Sequence, residues 1–182
     1  MTTNSPARRD ATVGDLPLEF IDRSRRYLVR EYPAKIERCL AVLAPDALWA
    51  RSGAESNSVG NLLLHLEGNV RQWIVSSVGG APDERHRAAE FAATGGMDAQ
   101  SLFAALRATL DDADAVLARL TPDDLASRRV IQDRDVSVFE AIYHVVEHFA
   151  MHTGQIILLT KLHAPGTIQF YDDAAGAAKP LY

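Results

Sequence analysis

Three histidines stand at intervals of four residues in the C-terminal part of this chain: His144, His148 and His152. An α-helix advances about 100° per residue, so each side chain is displaced from the previous one by only about 40°, and all three share one helical face. His148, His152 and Gln155 occupy positions in an apolar periodic pattern where a helical bundle normally has leucine or isoleucine. The pattern therefore directs several hydrogen-bonding groups toward a protein interior.

A metal ion would satisfy these buried nitrogens. An unsatisfied buried polar group costs about 1–3 kcal/mol, whereas neutral imidazoles at i and i+4 can bind one ion together. Two histidines make a loose site, so we expect a third ligand from another helix. His65 is the candidate, because it interrupts a run of leucines beside an apolar stripe. The opposing interpretation is a buried polar network among His148, His152, Gln155 and Glu147.

Three protein nitrogens leave at least one coordination position for water or substrate, which is typical of catalytic sites. Imidazole ligation suits zinc, nickel, iron, manganese or copper, and we place zinc and nickel first, with manganese and iron next. An ion held in this way could lower the pKa of bound water or bind a thiol as thiolate. The spacing thus predicts a divalent-metal centre with reactive chemistry.

Hydrophobic periodicity predicts the elements that must position these residues. Pro33 lies inside the first helical stretch and should kink or divide it. Four amphipathic helices in about 150 residues predict an all-α fold, an up-down antiparallel four-helix bundle. The four stretches run from about Leu16 to Leu43, from just after the polar segment Ser56–Ser58 to about Val78, from Asp98 to Leu120 and from Ser137 to about Leu162.

A long link and two tails complete the predicted organisation. The link between helices two and three, from Gly79 to Met97, is too long for a simple turn, and such loops are usually functional or disordered. The segment from Arg128 to Asp135 could hold a short extended piece, but we assign no sheet. One domain over residues 16–170 is expected, with a flexible N-terminal tail, residues 1–15, and a C-terminal tail, residues 171–182.

Composition excludes several classes of protein. The net charge of −5 argues against binding to nucleic acid, which requires a basic face. The single cysteine, Cys39, permits no intrachain disulfide and fits a reducing compartment. No apolar stretch reaches the roughly 18 residues of a membrane span, and the first residues contain no apolar signal segment. We therefore expect a soluble cytoplasmic protein with a small-molecule substrate and no membrane partner.

Two motifs and a loop resemble a known superfamily. The run His148–Ile156 resembles the H-x-x-x-H-x-G-Q signature of the DinB/YfiT-like superfamily, whose members are metalloenzymes built on a four-helix bundle. The segment Asn61–Trp73 is similar to the second-helix motif that supplies the remaining histidine. The loop segment Arg85–Phe91 resembles that of an uncharacterised branch. The resemblance covers most of the chain, from about Phe20 to Phe170.

The resemblance implies a set of ligands by position: His65, His148 and His152. His144 lies outside the usual trio, and it could contact a ligand, relay protons or serve packing. Gln155 and Asn69 would lie in the pocket or behind the ligands. Arg85 and Arg87 could hold an anionic part of the substrate, although solvated salt bridges within the loop are the plainer interpretation.

The superfamily includes enzymes that use low-molecular-weight thiols such as mycothiol or bacillithiol, among them S-transferases and a maleylpyruvate isomerase. The resemblance therefore implies a metal-dependent enzyme acting on a small molecule, either a thiol-dependent S-transferase or a hydrolase. The alternative is a non-catalytic, stress-related protein that only binds metal. A homodimer formed through a helix face is compatible with both.

Overall fold

The computed structural model describes residues 16–172 and 178–182, so the predicted flexible tail, residues 1–15, lies outside the described residues. The predicted all-α bundle is confirmed, with short strands added. Its α-helices are α1 (Leu16–Arg26), α2 (Tyr32–Val42), α3 (Val59–Val70), α4 (Arg87–Ala92), α5 (Ala99–Leu117) and α6 (Val138–His163). Two π-helical segments, Tyr27–Glu31 and Arg71–Val78, join α1 to α2 and extend α3, and a 3₁₀ turn covers Pro122–Ala126.

The first helical run continues across Pro33 instead of ending there. Proline has no backbone N–H, and its ring collides with the carbonyl four residues earlier in a regular α-helix. The π-helical turn lies directly before this proline, and within it the N–H of Tyr32 donates to the carbonyl of Tyr27. A π turn inserts one residue into the helix. This wider turn accommodates the proline, and the run stays continuous.

The apolar core lies between the long helices. Helix α3 packs against both α5 and α6, and α2 packs against α6. The leucine repeat predicted for the third helix points inward, since Leu102, Leu106, Leu110, Ala113 and Leu117 are all buried. Burial of this apolar surface is the main force that holds α3 and α6 side by side.

Two hairpins accompany the bundle, and the prediction that residues 128–135 contribute no sheet is wrong. Strands β1 (Arg128–Ile131) and β2 (Arg134–Ser137) pair antiparallel, with Ile131 opposite Arg134. The two turn residues, Gln132 and Asp133, have φ of 51° and 61°, as in a type I′ turn. This turn type usually carries Asn-Gly, so its sequence here gives no clear hairpin signal.

A second hairpin lies near the C-terminus, within the predicted tail. Strand β3 (Tyr171–Asp172) pairs antiparallel with β4 (Lys179–Pro180). The guanidinium of Arg38, on α2, donates to the backbone carbonyls of Gln169 and Leu181. These bonds hold the described end of the chain against α2.

The predicted long link after the second helix contains α4, which is attached to the start of α3. Ser58 caps α3, and the side-chain oxygen of Asn61 accepts from the Ser58 backbone in a capping box. The amide nitrogen of Asn61 donates to the carbonyls of Glu90 at 2.9 Å and Ala93 at 2.8 Å. One side chain therefore joins the N-terminus of α3 to the C-terminal end of α4.

Of the helices in residues 16–172 and 178–182, none combines the length and apolar character that crossing a membrane requires.

Replacing Asn61 by alanine should destabilise the fold more than loss of an ordinary helix cap. Asn61→Ala leaves two carbonyls at the end of α4 without donors and removes half of a capping box, so the free energy of unfolding should fall by about 2–4 kcal/mol. Ser137→Ala, which removes only the cap of α6, should cost about 1 kcal/mol. Urea denaturation measures both, and equal losses would contradict the connecting role of Asn61.

Candidate metal centre

Three imidazole rings from two helices converge on one point. Helix α3 supplies His65, and α6 supplies His148 and His152 one turn apart. The Nε2 atom of His148 lies 3.1 Å from the Nε2 of His65 and 3.1 Å from the Nε2 of His152. One ring nitrogen from each residue lies within 4.8 Å of the others. The structure thus brings together the three histidines that the sequence selects.

Hydrogen bonds determine which nitrogen of two rings carries the proton. The Nδ1 of His65 lies 2.7 Å from a carboxylate oxygen of Glu90, and the Nδ1 of His152 lies 2.6 Å from the side-chain oxygen of Gln155. Both partners are acceptors, so each Nδ1 is protonated and donates. The Nε2 atoms of His65 and His152 consequently present lone pairs toward His148.

This arrangement fits a first-row divalent ion. Zinc–imidazole bonds of about 2.0–2.1 Å at tetrahedral angles place the nitrogens roughly 3.3–3.4 Å apart, close to the separations observed here. Without an ion, the Nε2 of His148 can donate a proton to only one of its two neighbours. A cation accepts a lone pair from all three rings, and three protein ligands leave at least one position open.

The electrostatic surroundings favour the neutral form of the two histidines on α6, His148 and His152. Burial, and then repulsion from His152, His65, His144 and Arg85, lowers the pKa of His148 to about 3. Burial also lowers the pKa of His152, although the hydrogen bond to Gln155 acts in the opposite direction. Neutral imidazole is the form that binds a metal, so the ring is ready to bind without first losing a proton.

Glu90 is the site residue whose role the sequence analysis missed. Its carboxylate accepts hydrogen bonds from the Nε of Arg85 at 2.7 Å and from the Nη2 of Arg85 at 2.9 Å. The side chains of Arg85, Glu90 and His65 are all buried. Burial raises the pKa of Glu90, but the hydrogen bonds from Arg85 and His65 outweigh it and hold the pKa below its ordinary value. Glu90 therefore stays ionised and orients His65.

The Nη2 of Arg85 also lies 3.1 Å from the Nδ1 of His65. The shorter contact of that Nδ1 with Glu90 assigns the ring proton to Nδ1, while Arg85 donates to the carboxylate. In the sequence, only the resemblance of the loop segment Arg85–Phe91 to a known loop pointed to these hydrogen-bonded side chains. No periodicity relates that loop to His65, because the contact depends on how α4 folds back over α3.

The two loop arginines predicted to contact substrate lie in different surroundings. The guanidinium of Arg85 is engaged by Glu90 and also donates to the side-chain oxygen of Gln72 at 3.0 Å. Arg87 is exposed and lies over the ring of Phe91, which in turn lies 4.7 Å from the ring of His65. A substrate contact for either arginine stays a prediction.

The other predicted pocket residues lie on both sides of the histidine cluster. On one side, His144 lies one turn before His148, with its Nε2 3.4 Å from the amide nitrogen of Asn69 and its ring 4.0 Å from that of Trp73. On the other side, Gln155 is exposed but binds His152. His144 therefore belongs to a layer next to the cluster and not to the three converging nitrogens.

Comparison with known proteins gives the fold family. The profile of a family described as "Protein of unknown function (DUF1572)" matches residues 15–170. A DinB-like protein from Bacillus cereus has a similar structure, with a TM-score of 0.63, 18% identity, and 82% of this chain and 96% of that chain covered. A conserved protein from Enterococcus faecalis has a TM-score of 0.59 and 18% identity over 85% of this chain and 98% of that chain.

No curated protein sequence matches the chain. The fold is DinB-like, which confirms the resemblance noted in the histidine motifs. At this identity the solved structures establish the fold alone.

Gly68 should prove necessary for the bond between Glu90 and His65. A Cβ at Gly68 would overlap the Glu90 carboxylate and would lie 3.0 Å from the Nε of Arg85. Gly68→Ala should therefore displace Glu90 and weaken zinc affinity about 10- to 100-fold, as Glu90→Gln should, because partners behind a metal ligand typically contribute that much. Competition with a chromophoric chelator measures the affinity.

Gly154→Ala is the matched control, since a Cβ at that exposed helical position would meet nothing within 4 Å. This variant should bind zinc as the wild type does. Wild-type affinity in Gly68→Ala would show that Glu90 does not position His65.

Acid should destabilise the metal-free protein below about pH 6.5. The pKa of His148 is lower in the folded chain than in the unfolded chain, so the unfolded chain binds more protons between about pH 6.5 and 3. The free energy of unfolding should change little above pH 7. Below that, His148 alone should lower it by at most about 1.4 kcal/mol per pH unit, less the effect of solvent screening at this partly buried ring, and the lowered pKa values of His144 and His152 should add to the decline.

Urea titrations at several pH values, with and without a chelator, would measure this dependence. His148→Gln should show a shallower decline. Stability that does not change between pH 7 and 5 would contradict the buried, neutral state of His148.

Proposed function

The chain belongs to the DUF1572 family, and we propose that it is an enzyme that uses one divalent metal ion to act on a small molecule. The ligands in this proposal are His65, His148 and His152. The observation that carries it is the convergence of their three Nε2 atoms, with separations of 3.1 Å on either side of His148. Zinc or nickel suits this ligand set best, and manganese or iron would also bind.

When bound, such an ion supplies a Lewis acid that lowers the pKa of a thiol or water in its open position. The protein's own groups hold the geometry. Glu90, itself held by Arg85, orients His65, and Gln155 orients His152. The ring of Phe91 lies against His65 and shields it from water.

The surrounding carboxylates favour thiol chemistry over hydrolysis. Metal-assisted hydrolysis usually employs a general base near the reacting water. Glu90 is bound by Arg85 and His65, and Glu67 accepts from Arg71 at 2.8 Å and from Thr109 at 2.7 Å. A thiol needs only to lose its proton, which a bound cation would promote by stabilising the thiolate. We therefore infer transfer of a low-molecular-weight thiol to a small electrophile.

The reaction balances without another reactant. The thiol sulfur forms a bond to the electrophilic carbon, the bond from that carbon to its leaving group breaks, and the thiol proton leaves with the departing group. Such thiols belong to reducing compartments, so we propose a cytoplasmic location, which agrees with the single buried Cys39. A homodimer through a helix face stays a prediction.

His148→Ala tests the metal and the reaction together. The wild type, purified without a nickel column, should carry about one divalent ion per chain and conjugate monobromobimane or a halo-aromatic compound with a bacterial thiol. The variant should lose the ion and at least about 100-fold of the turnover, because the remaining two ligands cannot hold the ion in place.

Elemental analysis and thiol-dependent fluorescence give the two readouts. Retention of metal by the variant would show that the ligand set is wrong. A metal-bound wild type that hydrolyses model esters but ignores every thiol would favour the hydrolase. Metal without any turnover would favour a storage protein.

A further inference from the structure

Three buried polar atoms lack hydrogen-bond partners within the described ranges 16–172 and 178–182: the Oδ1 of Asn69, the Nε1 of Trp73 and the Nδ1 of His148. All three residues contact the same side chain, His144. The amide nitrogen of Asn69 lies 3.4 Å from its Nε2, and the ring centres of Trp73 and His148 lie 4.0 and 5.3 Å from that of His144. The unpartnered atoms therefore belong to residues that surround one side chain beside the metal centre.

Leaving such atoms unpaired is costly. Each unsatisfied buried donor or acceptor costs about 1–3 kcal/mol, and Asn69 and Trp73 are both only 3% exposed. Asn69 follows His65 by four residues on α3, and Trp73 lies in the π-helical segment that extends α3. Both residues contact His144 on α6. The place next to His144 is thus a direct extension of the metal site along the seam between α3 and α6.

The donors and acceptors can be assigned. When the Nε2 of His148 gives its lone pair to a cation, its Nδ1 carries the proton, as in the other two ligands. Those two rings donate to Glu90 and Gln155, whereas the Nδ1–H of His148 has no acceptor. The indole of Trp73 is a second donor, and the Oδ1 of Asn69 is an acceptor.

We propose that these three groups form a subsite for a hydroxyl group of the small molecule that binds at the metal. A hydroxyl oxygen accepts two hydrogen bonds and donates one, which matches two donors and one acceptor. A carboxylate would leave Asn69 unpaired, and an ammonium group would leave both donors unpaired. This inference rests on the proposed function and adds to it the class of ligand, a neutral hydroxyl-bearing compound.

His144 is a positioning residue in this subsite. Asn69 donates to its Nε2, which fixes the amide so that Oδ1 remains available, and the His144 ring covers the face of Trp73.

Two thiols of the same size provide the test. 2-Mercaptoethanol and 1-propanethiol differ only in that a hydroxyl replaces a methyl group. In zinc-loaded protein labelled with ¹⁵N-tryptophan, 2-mercaptoethanol should shift the indole resonance of Trp73 and bind about tenfold more tightly than 1-propanethiol. Trp49 is the internal reference, because its indole already donates to the carbonyl of Met97 at 3.0 Å.

Variants identify the side chains that recognise the hydroxyl group. Isothermal titration calorimetry measures the dissociation constants of 2-mercaptoethanol and 1-propanethiol for each variant. Asn69→Leu and Trp73→Phe should each bring the ratio of the two constants close to one. Trp49→Phe, the same chemical change at a remote position, should keep the wild-type ratio. Equal affinities in the wild type, or a preference that survives both variants, would overturn the subsite and leave ordered water as its occupant.

Zinc content measured in the same samples separates this inference from the proposed function. If zinc is bound in a 1:1 ratio but the thiols bind equally, only the hydroxyl subsite is wrong. If the wild type binds no zinc, the proposed function fails and the subsite fails with it.

Discussion

The hydrogen bond between Glu90 and His65 is the interaction on which the arrangement of this site depends. A buried carboxylate is tolerated only when strong donors surround it, and here a forked pair of bonds from Arg85 and one from His65 provide them. The bond fixes the proton on the outer nitrogen of His65 and turns its lone pair inward. It also explains why residue 68 has no side chain, and why α4 must lie over α3.

The sequence predicts the parts of this fold and site that depend on contacts within one helix. The leucine repeat of α5 and the four-residue spacing of the histidines on α6 are local patterns, so the bundle and two of the three converging rings follow from helical periodicity alone. His65 required a second argument, its interruption of a leucine run. The resemblance of its motif to the DinB/YfiT-like pattern supported that argument independently.

The features that were missed depend on contacts between distant parts of the chain. Glu90 sits on a six-residue helix in a loop, where no periodicity indicates a partner. The hairpin at residues 128–137 turns on Gln132 and Asp133, neither of which is the glycine that usually marks a type I′ turn. The π turn before Pro33 allows the first helical run to continue past this proline, where the sequence predicts either a kink or a division. The fold itself is shared with proteins at 18% identity, so the chemistry must be argued from the side chains that this chain places in it.

Arg85 and Glu90 are only five residues apart, and this closeness has an electrostatic consequence. The carboxylate of Glu90, which orients His65, and the guanidinium of Arg85, which neutralises that carboxylate, belong to one short stretch of backbone. If this stretch detached from the bundle, both charges would reach solvent together. Neither member of this pair would then be left without its counter-ion in a low-dielectric medium, where an unpaired charge is costly.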